Sequence, residues 1–354
     1  VAELIGNTPL VRINSLSDAT GCEILGKCEF LNPGGSSKDR VALSIIEDAE
    51  RRNLIRPHSG CTITEGTVGS TGISLATVAR AKGYQCHIVM PDDQAQEKYE
   101  ILERLGARVE KVRPVSIVDQ GHFVRVAKTR AESITQEAMR ANESGPMGSL
   151  DIPTGAGFFC DQFENLANFE AHLRTTGPEI FSQCNGQLDA FVMGAGTGGT
   201  IAGVAHYLKP RMPNLQIVLA DPWGSGLFNK VKFGIMYAPT EAEGTRRRHQ
   251  VDTVVEGIGI NRLTENFKQL LGKAHSSEAG LRPVEHYVDD AVRVTDREAV
   301  EMSRYLMRED GLFVGSSSSV NCVAAYRVAK RLGPGHRIVT VLCDSGSRHL
   351  TKFW

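Results

Sequence analysis

Short apolar runs alternate with segments of helical spacing along most of this sequence. Residues 85–90 form an apolar run that ends at Pro91, residues 94–105 carry helical spacing that stops at Gly106, and residues 107–112 are apolar again. The same alternation predicts further strands and helices at 188–193, 199–208, 215–220, 296–308, 312–314 and 337–343. Regular alternation of this kind indicates an α/β protein whose mostly parallel, twisted sheets are covered by helices.

The length of 354 residues suggests one large or two medium domains. Residues 142–157 are rich in Gly and Pro, which makes this stretch the expected crossing between two domains. No apolar run approaches the roughly 18–20 residues that a membrane span needs. We therefore expect two soluble α/β domains.

Charge and cysteine usage exclude several classes of function. The 40 Lys and Arg residues nearly balance the 41 Asp and Glu residues, so no general attraction to nucleic acid or to an anionic membrane is expected. The eight cysteines form no CxxC pair, and the ten histidines form no HExxH motif. Buried, reduced thiols in an intracellular protein and no metal site are the expectation.

Four polar loops, rich in Gly, Ser and Thr, each follow an apolar run or precede a helical one. They span residues 32–40, 65–72, 194–200 and 315–319. Ligands of open α/β sheets bind at the carboxyl ends of the strands, where such loops converge. The sequence therefore predicts one composite site for a small molecule.

The loop at 194–199 has three interpretations. It satisfies G-x-G-x-x-G, and the following apolar run ends in Asp221, which is the pattern of a nicotinamide-binding dehydrogenase. It could also be a tight turn without a ligand. In the third interpretation its N–H groups and the following helix hold a phosphate monoester, with Thr197 and Thr200 as further donors.

Lys38 lies at the start of the amphipathic segment 39–49, directly after a Gly/Ser loop. The positive end of a helix dipole disfavours a protonated amine, and a neutral amine is a nucleophile toward aldehydes. A lone lysine would ordinarily be a solvated surface residue. The surrounding motif decides between these interpretations.

Residues 32–40 closely resemble the lysine motif of the cysteine synthase and cystathionine β-synthase family, the fold type II pyridoxal-phosphate enzymes. Residues 5–10 resemble the opening signature of that family, residues 196–200 its phosphate cup, and residues 175–180 a further segment. The resemblance covers essentially the whole chain. Within this family the resemblance is most specific to the fungal cysteine synthase 2 branch. It is carried by residues 65–74, 243–253 and 344–350.

This resemblance implies a tryptophan synthase β-like fold. The N-terminal α/β domain would span residues 36–150 and carry a mobile substrate loop, and residues 1–35 plus 151–354 would form the larger, cofactor-binding domain. The resemblance also implies a homodimer with a small-molecule amino-acid substrate and sulfide or a similar nucleophile as partners, and no nucleic acid. Some members of the branch are associated with mitochondria, so a mitochondrial location is expected, with the cytoplasm as the alternative.

The same resemblance assigns roles to individual residues. Lys38 would bind pyridoxal phosphate covalently and shuttle the Cα proton of the substrate, and Ser317 would contact the pyridine nitrogen. The other expected cofactor contacts are Ser70, Gly196, Thr197, Gly198, Gly199 and Thr200. The expected substrate contacts are Thr67, Gly69, Ser70, Thr71 and Gln162, the last being also compatible with a helix surface.

The implied reaction is a β-replacement through an aminoacrylate, most simply O-acetylserine plus sulfide giving cysteine and acetate. Val68 and Ser70 stand where the family has serine and asparagine, which leaves the donor open. A β-elimination such as cysteine desulfhydration, another donor or nucleophile, and a nicotinamide-dependent dehydrogenase are the alternatives.

Arg246, Arg247 and Arg248 form the strongest local positive cluster. A solvated face is the ordinary interpretation of such a cluster. An anion contact near the entrance of the site is the alternative.

Overall fold

The computed structural model describes residues 1–142, 154–237, 253–272 and 286–354. The strands in these ranges are β1 (Leu10–Arg12), β2 (Glu23–Cys28), β3 (Thr62–Gly66), β4 (Gln85–Pro91), β5 (Arg108–Val112), β6 (Gly157–Phe159), β7 (Ala190–Gly194), β8 (Gln216–Pro222), β9 (Asp290–Val294) and β10 (Arg337–Leu342).

The helices in the same ranges are α1 (Asn14–Thr20), α2 (Lys38–Arg51), α3 (Ser70–Lys82), α4 (Gln96–Arg104), α5 (Phe123–Asn142), α6 (Ala167–Ala171), α7 (Gly177–Gln183), α8 (Gly199–Leu208), α9 (Leu227–Phe233), α10 (Glu265–Leu271), α11 (Asp296–Asp310) and α12 (Ser316–Leu332). A π-helical turn, His172–Thr176, joins α6 to α7.

The strands form two sheets. The larger has the order β1-β2-β10-β7-β8-β9, and the smaller has the order β5-β4-β3-β6. Only β1 pairs antiparallel, against β2, and every other described pairing is parallel. The predicted α/β class with mostly parallel sheets is confirmed.

Both faces of the larger sheet are buried, as a parallel sheet requires. Along β7, Val192 belongs to one apolar cluster and Phe191 to another. Helix α12 packs into the first cluster and α8 into the second. The two helices therefore lie on opposite faces of the sheet while both begin near the carboxyl end of β7.

Most of the predicted elements are confirmed, among them the helix at 199–208, whose observed bounds are the predicted ones. The predicted strand at 312–314 is wrong. The amide of Leu312 bonds to the carbonyl of Leu306 and so caps α11, and only Val314 makes an isolated bridge, to Ser345. A short apolar run after a helix can serve as its C-cap, which the apolar pattern alone does not reveal.

The predicted crossing at 142–157 falls largely on residues 143–153, which lie outside the described ranges. Strand β6 pairs with β3 and thus belongs to the smaller sheet, although it follows residue 150. The predicted domain bounds of 36–150 and 1–35 plus 151–354 remain a prediction.

All eight cysteines are free and buried, as expected. No described helix is long and apolar enough to cross a membrane. Within the described ranges, no group of three or more His, Cys, Asp or Glu side chains could hold a metal ion.

Candidate active site

A pocket lies where the loops that follow β2, β3, β7 and β10 meet. Its lining comes from both sheets and includes Lys38, Thr67, Gln162, Thr197 and Ser317. The predicted convergence of the four polar loops on one site is therefore observed. The carboxyl ends of parallel strands explain this position.

Four helices begin at this pocket. Lys38 and Ser70 are the first residues of α2 and α3, while Thr200 and Ser317 are the second residues of α8 and α12, and all four line the pocket. The amino terminus of a helix carries a partial positive charge and free N–H donors. A chain with a formal net charge of -1 can thus hold an anion here without a basic patch.

The loop before α8 leaves several backbone donors free. Within the described ranges, no acceptor is found for the N–H groups of Gly196, Thr197, Gly198, Thr200 and Ile201. Unpaired N–H groups at the start of a helix are the usual donors to phosphate. These residues fit a phosphate group on the ligand.

Buried side chains fix the two hydroxyl groups of this loop. Asn168 donates from Nδ2 to Thr197 Oγ1 over 2.9 Å, and His172 Nε2 lies 3.1 Å from Thr200 Oγ1. Burial lowers the pKa of His172 well below its ordinary value, so the ring is neutral and suited to a hydroxyl partner. Neither residue belongs to a local motif, so the sequence alone does not nominate them.

The loop after β3 offers a second group of free donors. Within the described chain the N–H groups of Val68, Ser70 and Thr71 have no acceptor. The Gln162 side chain holds this loop, because its Oε1 accepts from Thr71 Oγ1 over 2.6 Å and its Nε2 donates to the Gly66 carbonyl over 3.3 Å. The loop is thus preorganised to bind a small carboxylate.

Glu65, at the end of β3, stabilises the same loop through hydrogen bonds. Its carboxyl group accepts from the amides of Gly66 and Gln162 over 2.9 Å and 3.1 Å. Burial raises the pKa of Glu65 to about 8. Glu65 therefore joins the loop to the segment that carries Gln162.

Lys38 and Ser317 both face the pocket from helix amino termini. Within the described ranges, the Lys38 amine has no hydrogen-bond or ion-pair partner. Ser317 is buried beside Cys343, and burial raises the pKa of that thiol to about 11. Cys343 is consequently a neutral neighbour, and the amine and the hydroxyl are the polar groups available to a ligand.

The pocket brings together almost all residues that the sequence nominated. All of the predicted contacts except Gly69 and Gly199 line it. Gly69 packs against the side chain of Lys98, and Gly199 against Asn168. Their space is filled by neighbouring side chains, so their part is to let the loops pass closely. The roles assigned to all these residues remain predictions.

A charged network on the pocket wall was not foreseen. His349 Nε2 lies 3.0 Å from Asp344 Oδ2, its Nδ1 lies 3.1 Å from Glu256 Oε2, and Lys98 forms an ion pair with the same Glu256 oxygen. All four residues line the pocket. We call Lys98, Glu256, Asp344 and His349 the wall network. Its members are far apart in sequence, so no local sequence pattern predicts the network.

The wall network fixes its own charges. Burial opposes the charged form of His349, but Asp344 and Glu256 outweigh it and raise the pKa of the ring to about 9. Burial likewise opposes ionised Glu256, but His349 and Lys98 outweigh it and lower the pKa of this carboxyl group to about 2. Burial also opposes ionised Asp344, but His349 outweighs it and lowers the pKa of this carboxyl group. Near neutral pH the His349 ring is therefore protonated, and both carboxyl groups are ionised.

The raised pKa of His349 predicts a loss of stability in alkaline solution. Its contribution is fully present below pH 6.5 and is lost as the pH rises through about 9. A shift of this size corresponds to a free energy of unfolding on the order of 3 kcal/mol. Chemical denaturation should show a larger decrease between pH 6.5 and pH 9.5 for the wild type than for His349→Gln.

His336 provides the matched control, since its Nδ1 lies 3.0 Å from the Gly333 carbonyl and has no carboxylate partner in the described part of the chain. We expect His336→Gln to follow the wild type over the same pH range. Equal pH dependence of the wild type and His349→Gln would contradict the charge assignment.

The dehydrogenase interpretation required Asp221 to bind a ribose. Asp221 is fully buried, accepts from the amide of Phe228 over 2.7 Å and does not line the pocket. Burial raises its pKa to about 7. This carboxyl group therefore stabilises the turn into α9.

The cluster Arg246 to Arg248 lies outside the described ranges, and its two interpretations stay open.

Comparisons with known proteins agree with this chemistry. The model of the family described as "Pyridoxal-phosphate dependent enzyme" matches residues 1–344. A protein of Emericella nidulans named "Cysteine synthase 2" is 61% identical over 351 residues, which cover 99% of this chain and 78% of that protein. A protein of Saccharomyces cerevisiae named "Putative mitochondrial cysteine synthase" is 51% identical over 358 residues, covering 100% and 83% of the two chains.

A solved structure shares the fold. It is titled as an O-acetylserine dependent cystathionine beta-synthase from Helicobacter pylori, with a TM-score of 0.76, 31% identity, and coverage of 99% of this chain and 96% of that one. The free amides at 196–201, a pocket lysine without a partner in the described ranges, and the match of the family model over 344 residues lead to the same conclusion. The chain belongs to the family of pyridoxal-phosphate dependent enzymes, and pyridoxal phosphate is its cofactor.

Proposed function

We propose that this protein is a cysteine synthase that replaces the acetate group of O-acetylserine with sulfide. The proposal is supported by the convergence of three features in one pocket: a lysine without a partner in the described ranges, and two loops whose amides have no acceptor there. These loops suit a phosphate group and a carboxylate. Relatives at 61% and 51% identity bear cysteine synthase names, which supports this choice of reaction.

Different residues of the pocket would bind different parts of the cofactor. The free amides of residues 196–201, with Thr197 and Thr200, would hold its phosphate group. Ser317 would face the ring nitrogen, and Lys38 would attach to its aldehyde carbon. When bound, pyridoxal phosphate supplies an electron sink next to the Cα of an amino-acid substrate.

The protein groups then act on the substrate itself. The amides of Val68, Ser70 and Thr71 bind its carboxylate. Once the amino group of the substrate has displaced it from the aldehyde carbon, the Lys38 amine would take the proton from Cα, and the Cβ–O bond breaks with its electron pair leaving on acetate. Hydrosulfide forms the new Cβ–S bond, and Lys38 returns a proton to Cα. Atoms and charges balance without an oxidant or reductant.

The hydroxyl group of Ser317 favours β-replacement over transamination. A hydroxyl group is a weaker partner of a ring nitrogen than a carboxylate, so the ring stays largely unprotonated. An unprotonated ring is a weaker electron sink. Rapid loss of a β-substituent is then favoured over a long-lived carbanion.

Product analysis tests the proposal. Purified enzyme loaded with pyridoxal phosphate should convert O-acetylserine and sulfide into cysteine and acetate in equal amounts. Formation of pyruvate and ammonia in the presence of sulfide would instead establish the elimination alternative. That alternative is favoured by one observation, the presence of Val68 and Ser70 where the family has two polar side chains.

Gln162 gives a more local prediction. We expect Gln162→Ala to lower kcat/KM for O-acetylserine by about 10- to 100-fold, because two buried hydrogen bonds that hold the carboxylate loop are lost. The visible absorption of the bound cofactor should stay unchanged. Steady-state kinetics and absorption spectra measure the two effects.

Gln96→Ala is the matched control. Gln96 is exposed on α4 and bonds only to Glu100 within the described ranges. Its kcat/KM should equal that of the wild type. An unchanged kcat/KM in Gln162→Ala would refute the role of the loop support.

We further propose that the enzyme is a homodimer and that it is located in mitochondria. The homodimer rests on the family resemblance. The location rests on the resemblance and on the name of the Saccharomyces cerevisiae relative. Light scattering and microscopy of the tagged protein test the two statements.

A further inference from the structure

The wall network stands beside the residue at which the carboxylate loop departs from its family. Ser70 replaces an asparagine, and its hydroxyl group lies 3.4 Å from Asp344 Oδ2. Asp344 is 5% exposed and lines the pocket together with Lys38 and Val68. A substrate held by the loop would thus have this carboxylate in the wall of its pocket.

The donors of the wall network are directed at its own carboxylates. Both ring nitrogens of His349 face carboxylate oxygens, which requires a doubly protonated ring. The Lys98 ammonium group is paired with Glu256. Both ring nitrogens of His349 are therefore occupied, and the Lys98 ammonium group is held at Glu256.

An acceptor, in contrast, remains free. Within the described ranges Asp344 Oδ1 is buried without a hydrogen-bond partner, and a carboxylate can only accept. This oxygen is enclosed, since a Cβ at Gly315 would lie 2.1 Å from it, so Asp344 acts on a ligand through its charge. A wall with a fixed negative charge suits a neutral substituent. It repels an anionic one, because like charges interact strongly where water is excluded.

We propose that Asp344, held as a carboxylate by His349, selects substrates with a neutral β-substituent and excludes those whose β-substituent is an anion. The inference rests on the proposed function, since it concerns the same pocket. Asp344 is the specificity-determining residue, and His349 is a positioning residue that acts through it. O-acetylserine carries a neutral substituent, and a phosphate or sulfonate ester of serine does not.

Binding of unreactive amino acids tests this inference without turnover. The probes are L-2-aminobutyrate, which is neutral at its side chain, and L-2-amino-3-phosphonopropionate, which is anionic there. Calorimetry on the wild-type holoenzyme should give a Kd for the phosphonate at least ~10-fold higher than for aminobutyrate. In Asp344→Asn the ratio of the two Kd values should fall by about 10-fold.

Two further variants separate charge from structure. Asp344→Glu keeps the charge and should keep most of the discrimination. Asp93→Asn removes an exposed carboxylate outside the pocket and should leave both Kd values unchanged. Cofactor absorption and thermal unfolding monitor whether each variant is folded.

Equal binding of both probes by the wild type, or tighter binding of the phosphonate, would overturn the inference, whatever the variants do. An unchanged ratio in folded Asp344→Asn would overturn it as well. If the wild type bound neither amino acid, the proposed function itself would be wrong. That outcome differs from a failure of selectivity alone, in which aminobutyrate still binds.

Discussion

Lys38→Ala is expected to abolish turnover and to release the cofactor from its covalent attachment. The amine begins α2, faces the pocket and has no partner within the described ranges. Among the described residues of the lining, the other lysine is Lys98, whose ammonium group is paired with Glu256. Loss of both the nucleophile and the proton carrier should lower kcat by at least ~10³-fold.

Absorption spectra and stopped assays measure this effect. The variant should still bind pyridoxal phosphate through the loop at 196–200, but dialysis should remove it, whereas the wild type stays yellow. Lys268→Ala is the control, because Lys268 is an exposed residue paired with Glu265 on α10. Retained turnover in Lys38→Ala would disprove the assignment.

Gly198→Ala should strongly damage the phosphate-binding loop. Gly198 has φ +85°, and a Cβ there would lie 2.6 Å from the Cβ of Phe267 and 2.7 Å from its Cα. The backbone strain and the overpacking together should cost about 2–5 kcal/mol in the free energy of unfolding. The loop can relieve the clash only by moving its amides, so the Kd for pyridoxal phosphate should rise about 100-fold.

Gly311→Ala controls for the backbone conformation. Gly311 caps α11 with φ +69°, and a Cβ there meets nothing within 4 Å. We expect a loss of about 1 kcal/mol from strain alone and an unchanged Kd for the cofactor. Equal effects of the two variants, measured by denaturation and by cofactor titration, would show that the contact with Phe267 is unimportant.

The sequence was most informative where chemistry and backbone geometry depend on neighbouring residues. The loop at 196–200 could be found because free amides, a helix start and hydroxyl groups lie together in the chain. Lys38 could be nominated because its Gly/Ser loop and helix start are also local. The pattern at 194–199 was ambiguous, and the burial of Asp221 resolved it against a ribose contact.

Supporting contacts over long range could not be predicted in this way. Asn168 and His172 approach the cup only because α6 and the π-helical turn pack against α8. The wall network joins residues 98, 256, 344 and 349 through the folding of both sheets. The strand predicted at 312–314 failed for a related reason, since hydrogen bonding to α11 takes the amide of Leu312.

The arrangement of helices explains how a nearly neutral protein can bind a doubly charged phosphate group. The amino termini of α2, α3, α8 and α12 meet at one pocket, and each contributes partial positive charge. The loops before α3 and α8 also supply N–H groups that have no acceptor within the described ranges. Binding should therefore depend less on ionic strength than binding to a basic surface patch would.

Covalent trapping of the cofactor identifies the lysine that binds it. The holoenzyme is reduced with borohydride, digested, and searched by mass spectrometry for the phosphopyridoxyl group. We expect this group on Lys38 in nearly every molecule, and we expect it to be absent after Lys38→Ala. A trapped cofactor on another lysine, or none in a protein that still forms cysteine, would contradict the account.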